Sequence, residues 1–187
     1  MSSNTPSRKP PREVSDEADE NQLAMTKAEG DAYQKSLAYM VEDVADTGGT
    51  AKAGDYIVGF AQERAEGMYM LQSEGQLEWD EVGEEKCHLE ISVSDAADGR
   101  FIPYLTVYAT LTPERGEAVG PTEIPFVWHP GVYHYGKNVK VPADGHYTLH
   151  VRIEAPTFMR HDEVNGKRYA ETVEVTFKDI EVRTGRE

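Results

Sequence analysis

From residue 55 onward, apolar and polar residues alternate with a period of two, which is the pattern of half-buried β-strands. In the clearest run, 87–93, the apolar residues alternate with His88, Glu90 and Ser92. The other runs of this kind are 56–60, 68–71, 105–111, 147–153 and 173–177. Several short strands at this spacing, with turn signals between them, predict an all-β fold built as an antiparallel β-sandwich.

Two local features refine this prediction. The pair Asn165-Gly166 is a strong signal for a tight hairpin turn, because both residues tolerate a positive φ angle. The alternation slips in phase before Ile180 and Val182, which predicts a β-bulge in the last strand.

The first 54 residues lack the alternation. Residues 1–25 are polar and rich in Pro, Ser, Asp and Glu, which predicts a disordered acidic arm. Residues 26–54 are predicted to form an amphipathic helix, ended by Gly48-Gly49, and a short linker. The residues at helical spacing are Tyr33, Leu37, Met40, Val41 and Val44. We expect this apolar stripe to cover part of the sandwich, residues 55–187.

The charge balance narrows the range of partners. The chain has 34 Asp and Glu residues against 19 Lys and Arg, a formal net charge of −15. Such a field repels phosphate backbones and anionic membrane surfaces and attracts cations, so nucleic acid is not an expected partner. A salt-loving host also accounts for the acidity, since salt screens the self-repulsion. We favour this halophilic interpretation over an acid-lined binding surface.

Cysteine usage and hydropathy exclude other classes. Cys87 is the single cysteine, so an intramolecular disulfide and a cysteine-based zinc site are ruled out, and we expect a buried inert thiol. No apolar run approaches the roughly 20 residues that cross a bilayer. The start of the sequence shows no signal peptide, which leaves open a cytoplasmic protein or an exported one without its leader.

The segment His88-Leu89-Glu90 is the sharpest candidate for chemistry. Residues two apart on a strand project from one face, with Cβ atoms roughly 6–7 Å apart. An imidazole and a carboxylate at that separation can share an ion such as Fe²⁺, Cu²⁺ or Zn²⁺. The alternative is a solvated polar face on an edge strand, which is the more common reason for such alternation.

Two further segments carry histidines. Residues 128–136 place His129 and His134 among aromatic residues in a predicted loop, which either binds a ligand or plugs the end of the sandwich. Residues 158–162 contain His161 next to Asp162, which could orient its ring, although a surface histidine is the alternative. We expect His146 and His150 to be surface residues. No HExxH, GxSxG or glycine-rich phosphate motif is present, so hydrolase and nucleotide-binding functions are not expected.

In this order, the segments resemble the periplasmic high-affinity iron-uptake protein family, which includes Fe²⁺- and Cu²⁺-binding proteins and related membrane-antigen lipoproteins. The matching segments are 88–90, 101–106, 133–138, 160–162, 165–166 and Tyr169. The resemblance covers roughly residues 55–182. It implies an immunoglobulin-like sandwich that forms a homodimer and presents its metal near the subunit interface.

The resemblance also implies a set of ligands. Those that carry over are His88, Glu90, His134 and His161. The family's methionine ligand does not, because residues 125–128 hold no methionine, and His129 or Met159 are the candidates to replace it. Loss of a soft thioether weakens the expectation for Cu(I) and leaves Cu²⁺ or Fe²⁺ as the expected metal.

The function implied by the resemblance is that of a non-enzymatic accessory protein in iron uptake, which captures the metal and passes it to a membrane permease. The family also implies an extracytoplasmic or cell-surface location. Two alternatives remain: an interaction or adhesion module without a metal, and a ferroxidase-like redox protein. The redox protein ranks last, because the sequence indicates no substrate pocket.

Overall fold

Eleven strands, one α-helix and one π-helical turn are assigned in the computed structural model, which describes residues 12–186. The strands are β1 (Thr47–Ala53), β2 (Tyr56–Glu63), β3 (Met68–Ser73), β4 (Gln76–Asp80), β5 (Cys87–Asp95), β6 (Val107–Pro113), β7 (Val119–Glu123), β8 (Phe126–Val127), β9 (His134–Val139), β10 (Gly145–Ile153) and β11 (Val173–Val182). The helix is α1 (Glu20–Tyr39), and the π-helical turn is Met40–Val44.

Two antiparallel sheets form the sandwich. One has the strand order β1-β2-β5-β9-β8 and the other β11-β10-β6-β7, while β3 and β4 form a separate hairpin. The alternating apolar residues of each sheet meet between the two layers, where Leu89 and Ile91 of β5 and Leu149 and Val151 of β10 are fully or almost fully buried. The predicted all-β sandwich is therefore confirmed. Among residues 12–186, no helix has the length and apolarity that a membrane-spanning segment requires.

The predicted bulge lies in β11. Tyr147 pairs with Ile180 and Leu149 pairs with Phe177, so two residues of β11 stand opposite Thr148. One of the two is Asp179, with a φ angle of 57°. The extra residue restores the inward orientation of Ile180 after the slip in phase, as the sequence pattern predicted.

The N-terminal region departs from the prediction. The helix begins at Glu20, not at residue 26, because Asp19 and Gln22 form a capping box in which each side chain accepts a hydrogen bond from the backbone of the other. Residues 12–19 of the predicted disordered arm form hydrogen bonds with the sandwich instead. Residues 1–11 of that arm lie outside the described residues.

The predicted linker before residue 55 is wrong as well, since most of it is strand β1, which pairs with β2. A Cβ atom at Gly49 would lie 3.1 Å from the ring of Phe60, and one at Gly48 would lie 2.8 Å from the side chain of Val41. The two glycines thus permit close packing of the strand, in addition to following the helix.

The apolar stripe of α1 covers the outer face of the five-stranded sheet, as predicted. Leu37 and Met40 pack with Ala61 and Val132 in a small cluster. Val44, which the pattern placed in the stripe, is 54% exposed because the π-helical turn ends there. The helix also forms side-chain hydrogen bonds with the outer face of β5, and every residue of this strand is buried.

The Asn165-Gly166 pair does not form a tight hairpin. It lies in a long irregular loop, 154–172, between β10 and β11. The Gly166 N–H donates to the Asp162 carbonyl at 2.8 Å, and the Asn165 side chain donates to the Glu13 carbonyl at 2.8 Å. The turn residues are thus used to fold a loop onto the N-terminal segment.

Candidate metal centre

The centre is built on the neighbouring strands β5 and β9. In their register, Glu90 stands opposite Gly136 and His88 opposite Asn138. Residues two apart on a strand share a face, so His134 lies on the same face as these residues, diagonal to Glu90. Because β5 is a central strand covered by α1, this polar face is buried, and the solvated edge strand considered above is not what forms.

His88, Glu90 and His134 lie within contact distance of one another. The Nε2 atom of His134 is 3.1 Å from Glu90 Oε1, and the Nε2 atom of His88 is 3.7 Å from the same oxygen. One ligand-capable atom from each residue lies within 4.8 Å of the others. Ligands of one metal ion at bond lengths of about 2.0–2.2 Å lie roughly 3–4 Å apart, so this spacing suits a shared ion.

The hydrogen bonds of Asn138 fix the tautomer of His88. Asn138 Nδ2 donates to the Glu66 carbonyl at 2.7 Å, so its Oδ1 atom is left to accept from His88 Nδ1 at 3.0 Å. His88 therefore carries its proton on Nδ1 and presents the Nε2 lone pair to the centre. Such a partner behind a histidine ring is the usual arrangement in metal sites.

His134 is oriented in the same way. Its Nδ1 atom is 3.1 Å from the Val132 carbonyl, which can only accept a hydrogen bond. The proton thus lies on Nδ1, and the Nε2 lone pair faces Glu90. Both imidazoles therefore direct an unprotonated Nε2 atom, which can bind a metal ion, toward the same space.

Three buried acceptors converge there without a donor. Among residues 12–186, no hydrogen-bond partner is present for His88 Nε2, His134 Nε2 or Glu90 Oε2. Buried polar atoms are normally paired, since each orphan costs about 1–3 kcal/mol. A proton or a cation between these atoms removes that cost.

Gly136 keeps the space between the imidazoles open. A Cβ atom at this position would lie 3.1 Å from Nε2 of His88 and 3.1 Å from Nε2 of His134. Any larger residue would therefore place a carbon atom between the two lone pairs. Glycine is required here for the room it leaves, because its backbone is not in the positive-φ region.

Burial controls the protonation of the centre. Desolvation lowers the pKa of His88 to about 4 and that of His134 to about 4. Desolvation, followed by the negative charges of Glu63 and Glu66, raises the pKa of Glu90 to about 8. At neutral pH the metal-free centre thus holds two neutral imidazoles and a carboxyl group that is mostly protonated. Its short N–O contacts are not salt bridges, and an incoming cation must displace the proton of Glu90.

Glu66 is a residue that the sequence analysis missed. It follows β2, outside every motif, and its Oε1 atom lies 3.6 Å from His88 Nε2. Its side chain is 37% exposed, whereas the three central residues are at most 5% exposed. Glu66 therefore sits on the solvent side of the centre, where a carboxylate attracts cations.

Three of the predicted ligands do not join this group. His161 is 92% exposed on the loop 154–172, where its Nδ1 atom lies 3.1 Å from the Glu17 carboxylate. Met159 is 97% exposed. His129 lies near His134, with ring centroids 5.7 Å apart, but its Nδ1 atom accepts the N–H groups of residues 131 and 132. The neutral His129 ring then carries its proton on Nε2, so that neither nitrogen is free to bind a metal.

His146 and His150 are partly exposed and lie 2.9 and 3.5 Å from the carboxylates of Asp179 and Glu174, which agrees with the prediction that they are surface residues. Cys87 is fully buried, and desolvation raises the pKa of its thiol to about 12, which agrees with an inert thiol.

The chain is similar to known proteins both in sequence and in fold. The sequence model of the Fe²⁺ transport protein family matches residues 60–183, most of the sandwich. No curated protein matches the chain. FetP of uropathogenic Escherichia coli superposes with a TM-score of 0.57 at 18% identity, over 73% of this chain and 94% of FetP. Copper-reconstituted P19 of Campylobacter jejuni superposes with a TM-score of 0.57 at 19% identity, over 72% of this chain and 94% of P19. At these identities the two structures show a shared fold.

Proposed function

Because the chain belongs to the Fe²⁺ transport protein family, we propose that it takes up Fe²⁺ or Cu²⁺ at His88, Glu90 and His134 and acts as an accessory protein in iron uptake. The convergence of two imidazole lone pairs and the Glu90 carboxyl group in one buried space carries this proposal. In a module without a metal, the single proton of Glu90 can satisfy only one of the two imidazole acceptors, and the other stays unpaired at a cost of about 1–3 kcal/mol. The metal-binding function is therefore favoured over the interaction module.

The donor set supports a divalent ion of borderline softness. Two imidazoles and a carboxylate suit Fe²⁺ and Cu²⁺, and the absence of a thioether among them disfavours Cu(I). Crystals of P19 and of FetP that hold copper support Cu²⁺ as a probe of the centre. The ion is cargo in this proposal, so we expect binding and release without turnover.

We propose further that the protein is a homodimer in which His161 of a second copy completes the centre. Three ligands leave at least one coordination position open, and exposed His161 does not reach the centre of its own chain. If His161 binds the metal of a second copy, it can be a ligand, as the family resemblance implies, and still be exposed on its own chain. Delivery to a membrane permease and an extracytoplasmic location are part of the same proposal.

The first experiment is a calorimetric titration of metal-stripped protein at high salt with Cu²⁺, and with Mn²⁺ as a non-oxidising substitute for Fe²⁺. His134→Ala should abolish tight binding, whereas the surface control His146→Ala should leave it unchanged. Equal binding by wild type and His134→Ala would refute the assigned centre.

A mixing experiment tests the second copy. His134→Ala and His161→Ala should each lack the tight site, but a heterodimer of the two has one intact centre. Random exchange of subunits should then restore about one tight site per four chains. If His161 acted within its own chain or not at all, mixing would not create a site.

A further inference from the structure

The N-terminal residues 12–19, called the strap here, run along the loop that carries His161. Arg12 contacts the carboxylates of Asp95 and Asp98 at 2.8 and 2.9 Å. Glu13 and Asn165 bond reciprocally, backbone N–H to side-chain oxygen and side-chain amide to backbone carbonyl, both at 2.8 Å. The strap is thereby attached to the body of the sandwich and to the loop.

The next residues of the strap direct a carboxylate onto His161. Ser15 Oγ donates to Asp162 Oδ2 at 2.8 Å and accepts the N–H groups of Glu17 and Ala18 at 3.3 and 3.2 Å. This turn places Glu17 Oε2 3.1 Å from His161 Nδ1. The loop is held directly after the histidine, at Asp162 and at Asn165.

We infer that Glu17 is a positioning residue for the metal centre of a second copy, since its carboxylate accepts from Nδ1 of the exposed His161 ring and leaves Nε2 unprotonated for a metal. This inference rests on the proposed function, in which His161 is a ligand in trans. The same arrangement recurs at His88 and His134, whose Nδ1 atoms face Asn138 and the Val132 carbonyl. All three proposed histidine ligands thus present Nε2, with an acceptor behind Nδ1.

A purely structural role accounts poorly for the Glu17 contact. Both side chains are largely exposed, at 47% and 92%, and pairs of this kind add little to stability. The strap already has firmer attachments through Arg12 and Ser15. Orientation of the His161 ring is what this contact adds. The strap lies outside residues 60–183, the segment that the family model matches.

The chain offers a matched control. His146 Nδ1 lies 2.9 Å from Asp179 Oδ1 in another exposed pair, on strands β10 and β11. Asp179→Asn removes that carboxylate, and asparagine tolerates the positive φ angle of this position. It should change neither metal binding nor the His161 tautomer.

The test uses the full chain and Cu²⁺ alone as the probe, with Glu17→Ala, Glu17→Gln, Asp179→Asn and His161→Ala compared by calorimetry. Glu17→Ala should weaken Cu²⁺ binding about 10- to 100-fold, and Glu17→Gln, which keeps an acceptor oxygen, should weaken it less. In metal-free protein, ¹⁵N NMR should show His161 losing its preference for the Nδ1–H tautomer in Glu17→Ala.

The outcomes separate this inference from the function on which it rests. If wild type binds no Cu²⁺, or if His161→Ala binds as wild type does, the proposed centre or its ligand in trans is wrong. If His161→Ala weakens binding while Glu17→Ala matches Asp179→Asn, only the role of Glu17 is overturned. A loss of affinity in Glu17→Ala without any change in the His161 tautomer also overturns it.

Discussion

Replacement of Gly136 by alanine should weaken metal binding and leave the stability of the metal-free protein nearly unchanged. The added Cβ would lie 3.1 Å from Nε2 of both His88 and His134, which is closer than ordinary carbon–nitrogen contact. The neighbouring rings must then move by a few tenths of an ångström, and the methyl group fills the space that a bound ion needs. We expect Cu²⁺ affinity to fall at least about 100-fold, which corresponds to about 2.7 kcal/mol of binding free energy.

The free energy of unfolding should change far less. The backbone of Gly136 is not in the positive-φ region, and alanine reduces the freedom of the unfolded chain by about 0.4–1 kcal/mol, which offsets the crowding. Calorimetry with Cu²⁺ and thermal unfolding of the metal-free protein measure the two quantities. Gly59→Ala in β2, whose Cβ would meet Leu37 at 3.4 Å, is the control and should bind normally. Unchanged Cu²⁺ affinity in Gly136→Ala would refute the position of the ion between the imidazoles.

Three other predictions follow from the same contacts. Metal-free protein should lose a net stability of about 1 kcal/mol as the pH rises from 6.5 to 8. Folding raises the pKa of Glu90 to about 8, so the folded state keeps a proton that the unfolded state has released, which by itself costs about 1–2 kcal/mol. Folding lowers the pKa of His88 and His134, so the unfolded state binds more of their protons near pH 6.5, and this offsets about half of that loss. Thermal unfolding of Glu90→Gln should not show this loss, and an equal loss in that variant would contradict the assignment to Glu90. Asn138→Ala should weaken Cu²⁺ binding about 10- to 100-fold, because His88 loses the acceptor that fixes its tautomer; calorimetry that shows wild-type affinity would exclude this role. Leu37→Ala should lower the free energy of unfolding in urea by about 2–5 kcal/mol, since a fully packed side chain is removed from under α1, and a change below about 1 kcal/mol would mean that the helix is not packed there.

The strand pattern predicted much of the sandwich, because a period of two depends on burial and not on which strands are neighbours. It placed His88 and Glu90 on one face and identified the bulge before Ile180. It did not reveal that β5 is central in its sheet, since strand order depends on long-range pairing. That order decides whether the polar face of β5 is exposed or buried.

The sequence pattern did not predict contacts between distant parts of the chain. Glu66 reaches His88 only because β2 and β5 are neighbours, and Glu17 reaches His161 across most of the chain length. His134 was placed in a loop by its aromatic surroundings, although it begins β9. The early start of α1 depends on a capping box in a segment with little apolar pattern, so the hydrophobic period gave no signal there.

Because β5 is central in its sheet, release of a bound ion and opening of the backbone hydrogen bonds are separate events. The backbone around His88 and Glu90 is paired on one side with β2 and on the other with β9, so these amide hydrogens should exchange only when the whole domain unfolds. Glu66, in contrast, is partly exposed beside His88, so we expect a chelator to reach the ion from this side without opening of the sheet. An ion can therefore leave within the lifetime of a single folded molecule, and the empty carrier is ready to load again without refolding.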